Sequence, residues 1–358
     1  MADASTQPAG QGPSTPQGNA RRWQRLLLRT ILAEIAVILV LFALRNVAWR
    51  DVPGYLGRLG PATLGLAALA YTAAWTMRIA RLHVLAKATG IPLGARDAAQ
   101  TALGANALNI VAPARLGDVA AYVHLRSEGA AGPEAAAVMV TWRLGDLGAL
   151  LVFALLAGPV VLLLVPVHSA TTGLVAVMAG GAGFLAIGAA GIYLARHHKV
   201  RAVLDRIATR LLGSRAPTGA AFGRATAHLW TPRLFAASLA LAIAAWIADA
   251  LLAGVILDAL WDGPNAYAVV IIPVILANAA KTLPTTPGSI GVFEVVFGVA
   301  LNQYVGDPAS AAVFGFAAVA VHLFVNVLTL GLGLPGAVAI GRSVSRSAAR
   351  QADAGLTK

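Results

Sequence analysis

Residues 147–166 read LGALLVFALLAGPVVLLLVP, twenty positions without one charged or hydrogen-bonding side chain. No aqueous surface can accommodate such a run. A helix of about 20 residues crosses the hydrocarbon core of a bilayer, and inside that core each backbone N–H and C=O must find its partner within the protein. Comparable stretches fall at roughly 28–46, 61–80, 145–166, 171–194, 234–257 and 309–335. The expected fold is an all-α integral membrane protein, a polytopic helical bundle of about six full spans. The wider composition agrees: of 358 residues only 12% are charged, against about 25% in soluble domains.

The residues between the runs narrow the function classes. Cysteine is absent, which excludes disulfides, thiolate chemistry and Cys-ligated metal. The seven His are scattered without an HExxH pattern, so no metal and no cofactor are expected. A formal charge of +12 would suit nucleic acid, but the bases cluster between apolar blocks, where anionic lipid headgroups are the natural partner. Residues 196–233 hold eight Lys/Arg and one acid, Asp205, and the C-terminal end adds Arg342, Arg346, Arg350 and Lys358. The linkers near 258–265 and 305–308 carry Asp258, Asp262 and Asp307 and no base. The positive-inside rule then places both termini and the 196–233 segment in the cytoplasm of a multi-pass cell-membrane protein. Arg50 and Arg58, in a linker assigned to the outside, run against the rule.

The expected organisation is a disordered Pro/Gly/Ser-rich tail at 1–24, a membrane domain at 25–341 and a basic cytoplasmic tail at 342–358. Arg21, Arg22, Arg25 and Arg29 precede the first apolar run with no small-residue cleavage site after it, as in an uncleaved first helix. The membrane domain divides into halves of about 25–195 and 234–341, joined by the basic segment 196–233. Within that segment Val200, Val203, Leu204, Ile207 and Leu211 form a helical stripe, as in a helix lying in the headgroup plane; a solvated charged linker is the alternative.

Two apolar segments are interrupted. ANALNIVAPARLGD (105–118) and ANAAKTLPTTPGSIGVFE (277–294) both begin Ala-Asn-Ala. In each a glycine follows a proline by four residues, Pro113 to Gly117 and Pro287 to Gly291, with Asp118 or Glu294 close behind. Proline ends a helix and glycine allows the chain to reverse. With six spans and cytoplasmic termini, the first segment dips in from the cytoplasmic face and the second from the outside. Two opposed re-entrant hairpins in corresponding places point to an inverted repeat with a site near the midplane.

At these residues the chain resembles the transmembrane domain of the lysylphosphatidylglycerol synthase family, a flippase-like (UPF0104-type) group. The matching pieces are MRIARLHVLAKATG, NIVAPARLGD, WRLGDLGAL and LPTTPGSIGVFE, and the resemblance runs from about 25 to 340. The last piece is the most specific, placing Pro284, Pro287, Gly288, Gly291 and Glu294 on the family's Leu-Pro-x-x-Pro-Gly-Gly-x-Gly-x-x-Glu signature. Asn109, Pro113, Arg115, Gly117 and Asp118 match the first hairpin, and Arg143 and Asp146 an Arg-x-x-Asp pair. Ser289 replaces the second glycine of the signature, and His322 stands where the family often has Arg. Nothing resembles the soluble aminoacyl-transferase domain. The resemblance implies lipid handling in the membrane.

Charged groups inside apolar stretches are expensive and point to function. Lys281 and Glu294 flank the second hairpin's turn: Lys281 would receive a lipid phosphate and Glu294 pair with it or carry a proton, or the two form a purely structural ion pair. Arg115, able to meet Asp118, is the favoured headgroup contact or else a surface arginine on the cytoplasmic side. Arg143 and Asp146, i and i+3 on one helix, are expected to pair and anchor it. Glu34 and Asp249 would bond neighbouring helices, and His322 is either a satisfied interior histidine or a proton relay. The leading expectation is a flippase or transporter for an anionic lipid or lipid-linked precursor. The alternative is a membrane enzyme or scaffold subunit in glycolipid or lipid-linked glycan synthesis, working with a neighbouring glycosyltransferase or lipid-modifying enzyme. No catalytic metal, nucleotide or transferase motif favours the enzyme.

Overall fold

The computed structural model describes residues 50–112, 115–164, 171–196, 216–281 and 286–356. The tail at 1–24, the span at 28–46 with Glu34, the stripe at 200–211, Pro113, Pro284 and Lys358 lie outside these residues. The described residues are helical, joined by turns and short 3-10 segments, with no strand among them.

In chain order they form α1 (Val52–Arg58), α2 (Pro61–Ala88), α3 (Ala95–Val111), α4 (Leu116–Ser127), α5 (Gly132–Leu164) and α6 (Thr171–Arg196). There follow α7 (Ala216–Leu229), α8 (Pro232–Leu260), α9 (Ala266–Val269), α10 (Ile271–Ala280), α11 (Val292–Val305) and α12 (Ala311–Leu356). Pro61 and Pro232 open the first turns of α2 and α8, where a missing N–H costs nothing. Gly306, left-handed at φ 67°, ends α11.

Among the described residues four helical stretches are long and apolar enough to cross a membrane: Gly132–Leu164, Pro232–Leu260, Pro287–Val305 (a 3-10 turn leading into α11) and Ala311–Arg346. They contain three of the expected spans. The expected span at 61–80 lies in α2, and the one at 171–194 in α6, of which Met178–Ala190 counts as a shorter apolar helix. The helices that enter the two interrupted segments are short: α3 has 17 residues and α10 has 10, about 26 and 15 Å at 1.5 Å per residue.

The packing is dominated by two pairs of helices, α2 against α8 and α3 against α12. The second pair is a contact of backbones. A Cβ on Gly104 would sit 2.4 Å from the Gly336 carbonyl carbon, one on Gly333 2.5 Å from the Leu103 oxygen, and one on Gly336 2.2 Å from the Gln100 oxygen. Small residues that let helices approach this closely are how membrane helices gain packing where lipid offers no hydrophobic drive. Around these pairs lie two apolar cores. The larger gathers Phe293, Phe297, Phe314 and Trp246 between α2, α5, α8, α11 and α12. The smaller gathers Trp142, Leu82, Leu85 and Leu125 between α2, α4 and α5.

Candidate functional site

Where the two cores meet, the bundle encloses a cavity of about 320 Å³. Its wall is charged: Arg78 from α2, Arg115 and Asp118 from the α3–α4 tip, Arg143 and Asp146 from α5, Asp249 from α8, and Lys281 at the end of α10. Asn106 and Asn278 add amides, and Tyr71, Trp75, Trp142 and Trp246 add aromatic surface. Asp249 lies 11 residues from the Leu260 end of α8 and 17 from the Pro232 end, about 17 and 26 Å. Arg78 lies similarly far inside α2, 17 residues from Pro61 and 10 from Ala88. The charges sit well inside the bundle.

Each buried arginine there is held by a partner on another helix. Arg78 grips Asp249 with both terminal nitrogens, at 2.5 and 3.3 Å, between the rings of Trp246 (4.9 Å) and Trp75 (5.6 Å). This is the planar, bidentate, ring-stacked chemistry that separates arginine from lysine. Arg81, one turn further, is fully buried. It donates to Asp146 at 2.6 Å, to Ser238 Oγ at 2.9 Å and to the Trp142 carbonyl at 2.5 Å, so it ties α2, α5 and α8 together.

Arg143 and Asp146, expected to pair with each other, take partners elsewhere. Asp146 receives Arg81, while Arg143 donates to Asp118 on α4. Asp118 is also bonded by Asn109 Nδ2 at 2.9 Å, and Asn109 Oδ1 accepts the Gly117 N–H at 2.8 Å. Asn109 thereby clips α3 to α4. Gly117 is required at that clip, since a Cβ would fall 2.0 Å from the Ala105 carbonyl oxygen. Arg115, in the left-handed region at φ 55°, comes within 3.7 Å of Asp118. A non-glycine residue held in that conformation stores strain, and such strain clusters at functional sites.

The second tip also departs from expectation. Glu294 and Lys281 do not form an ion pair among the described residues. Glu294, in the first turn of α11, reaches back with Oε2 to accept the Gly291 N–H at 2.7 Å. That aims Oε1 across at α12, where it meets His322 Nδ1 at 2.7 Å. His322 is buried and stacks on Phe293. Lys281 instead lies with its ammonium 4.4 Å from the Phe293 ring, facing the cavity. Asp249, read as a bond between helices, is one, to Arg78.

The turn at Pro287, Gly288 and Ser289 packs on the end of α3, where a Cβ on Gly288 would touch Ile110 at 3.3 Å. The two interrupted segments therefore meet tip to tip. Gly288 and Gly291 have positive φ, 62° and 87°, as their residue type suggests, but so does Ser289, at 57°. A left-handed L-residue costs about 1–2 kcal/mol, part of which glycine would return as unfolded-chain entropy. Ser289→Gly is expected to stabilise the protein by about 0.5–1 kcal/mol, read as a higher thermal midpoint in detergent; a lower midpoint would mean that the serine hydroxyl matters more than its backbone. Among the described residues no three His, Asp or Glu side chains converge as metal ligands would.

A family model described as the lysylphosphatidylglycerol synthase TM region matches residues 26–333. The chain belongs to this family. The matched residues include the whole of the cavity wall, from Tyr71 to Val325. The chain is also similar to a glycosyltransferase, AglD of Haloferax volcanii, 27% identical over 392 residues. That alignment takes in 93% of this chain but 59% of the relative. The protein is a multi-pass membrane protein.

Sequence reasoning missed Arg78 and Arg81. A signal was present in WTMRIAR, two arginines i and i+3 inside an apolar helix beside Trp75; few residues are dearer in a membrane.

Proposed function

We propose that the protein moves an anionic lipid, or a lipid-linked precursor with a phosphate headgroup, across the cell membrane by holding the headgroup in this cavity. The observation that carries it is an imbalance of charge. Among the described residues five cations stand at the site, Arg78, Arg81, Arg115, Arg143 and Lys281, against four carboxylates, Asp118, Asp146, Asp249 and Glu294, the last turned to His322 and the Gly291 N–H. Arg78, Arg81 and Arg143 each take one carboxylate. Arg115 shares Asp118, already held by Arg143, and Lys281 makes a ring contact but no ion pair among the described residues. A positive charge left over in a low-dielectric interior is unfavourable until an anion arrives, and a phosphate supplies one or two negative charges with oxygens suited to arginine.

The topology that suits this reading is six full spans with two opposed re-entrant hairpins, 95–127 and 271–305, the termini cytoplasmic and the halves related as an inverted repeat. Supporting it are the short α3 and α10, the interhelical clip at Asn109 and the contact between the two tips. Arg115, Asp118, Lys281 and Glu294 then form and gate the headgroup site, with Lys281 and Arg115 as the direct phosphate contacts.

A second reading, favoured by the alignment with part of a glycosyltransferase, makes the membrane region a scaffold or enzyme subunit in glycolipid synthesis. One experiment separates them. Purified protein in liposomes is expected to carry a labelled anionic lipid between leaflets without nucleotide sugar or aminoacyl-tRNA, and to return it chemically unchanged. A lipid recovered with a new group attached would replace transport by catalysis.

A further inference from the structure

A second polar cavity lies at the far end of the bundle, unconnected with the buried charges. It is an open cleft of about 580 Å³ where α1, the end of α8 and the start of α12 converge, lined by Arg50, Asp51, Tyr55, Arg58, Trp261 and Asp262. It stands about 17 Å along α8 from Asp249. Arg342 and Arg346, on the same α12 whose start it touches, are roughly 45 Å away along that helix.

The chemistry differs from that of the buried site. Its two arginines face two carboxylates, so the cleft has no net charge with which to hold an anion. What it offers is a dense set of donors and acceptors beside aromatic rings. Arg58 Nη1 donates to the Leu260 carbonyl at 3.0 Å and to Asp262 at 3.1 Å. Both bonds use the same nitrogen, and among the described residues Nε and Nη2 bond to nothing else. The Asp262 side chain is 88% exposed, ready to accept from hydroxyls. Trp261 is fixed in advance: its Nε1 donates to Ser310 Oγ at 3.2 Å, Ser310 donates to Asp307 at 2.5 Å, and its ring meets Phe314 edge-on. Gly263 lies so close that a Cβ there would come 2.0 Å from a ring carbon. Tyr55 is packed on Phe316 at 5.1 Å.

Balanced charge, paired donors and acceptors, and rigid aromatic surface suit a neutral polyhydroxyl group. Hydroxyls donate to carboxylates and accept from guanidinium, while the C–H face of a sugar lies against a ring. The geometry points to this cleft as a recognition site for the polyhydroxyl part of a ligand, a hexose or glycerol group, separate from the phosphate cavity. It also gives Arg50 and Arg58 a use in a linker where the charge rule would not place them.

The test uses the full chain in phosphatidylcholine nanodiscs and methyl glucoside, an uncharged probe without an acyl chain, observed by saturation-transfer NMR. The wild-type protein is expected to transfer saturation to the sugar ring protons. Asp262→Asn is expected to weaken that binding at least tenfold at an unchanged thermal midpoint, since its exposed side chain makes only a surface bond to Arg58 among the described residues. Lys281→Met is expected to leave it intact. Absence of transfer in the wild type overturns the proposal. So does loss in Lys281→Met with retention in Asp262→Asn, which would put the sugar in the buried cavity. So, too, does displacement of the sugar by inorganic phosphate that Arg58→Gln abolishes, which would make the cleft an anion site. Failure of lipid movement in liposomes would leave the sugar signal unaffected, so the two readings fall separately.

Discussion

Arg81→Met is expected to destabilise the protein by about 3–5 kcal/mol, the cost of leaving a charge buried without its partner. Arg81 is fully buried and every direction of its guanidinium is used, toward Asp146, Ser238 and the Trp142 carbonyl. Methionine replaces its volume and none of its bonds. It strands the Asp146 carboxylate, which no other cation holds among the described residues, together with a serine hydroxyl and a carbonyl. The double variant Arg81→Met, Asp146→Asn removes both charges and is expected to recover more than half of the loss. Thermal unfolding in detergent reads both. A single variant that unfolds at the wild-type temperature would show that water reaches Asp146, and the double variant would then gain nothing.

Lys281→Met is expected to do the opposite, leaving the midpoint within about 1 kcal/mol of the wild type while slowing lipid movement about 10–100-fold. The slowing corresponds to losing one charged hydrogen bond, about 1.5–3 kcal/mol. Lys281 forms no ion pair among the described residues, so its removal strands no paired carboxylate there; it forfeits a contact with the Phe293 ring and, on the proposed function, the countercharge for the headgroup. Glu294→Gln provides the contrast. It weakens the bond to His322 and the cap on Gly291, so its effect should appear first in stability. If Lys281→Met moves lipid at the wild-type rate, the excess charge does not serve the headgroup and Arg115 remains the candidate. If it unfolds like Arg81→Met, the lysine is structural.

These two residues mark how far the sequence could be read. The apolar runs, the two interrupted segments and their glycines were legible because each is local: a run is counted, a proline followed four residues later by glycine is seen. The Lys281 position was legible for the same reason, as a charge where a span should be. Partners were not. An i, i+3 spacing says that Arg143 and Asp146 share a face of one helix, yet each prefers a group on a neighbouring helix, because only there do both sides lose water together. Which neighbour that is depends on how α5 is rotated against α2 and α4, and periodicity in a helix apolar all round carries no rotation. The pairing of Glu294 with His322 fails the same way: the capping bond to Gly291 fixes where the carboxylate points, and that depends on a turn. The polar cleft at Arg58 registered only as two misplaced arginines.

The glycine contacts between α3 and α12 have a mechanical consequence. With no side chain between the two backbones, sliding α3 along α12 by even one residue would drive a Cβ onto a carbonyl. The first helical hairpin and the last helix therefore travel as one plate, with Asn106, Arg115 and Asp118 on the hairpin and Val325 on the helix. Any opening of the cavity has to occur along the rest of its perimeter, and there the plate is fastened to α5 by the bond between Arg143 and Asp118. On the proposed function, an arriving phosphate would compete with Asp118 for that same guanidinium. Binding and unlatching would then be one event, with cargo undoing the clasp that keeps its own compartment shut.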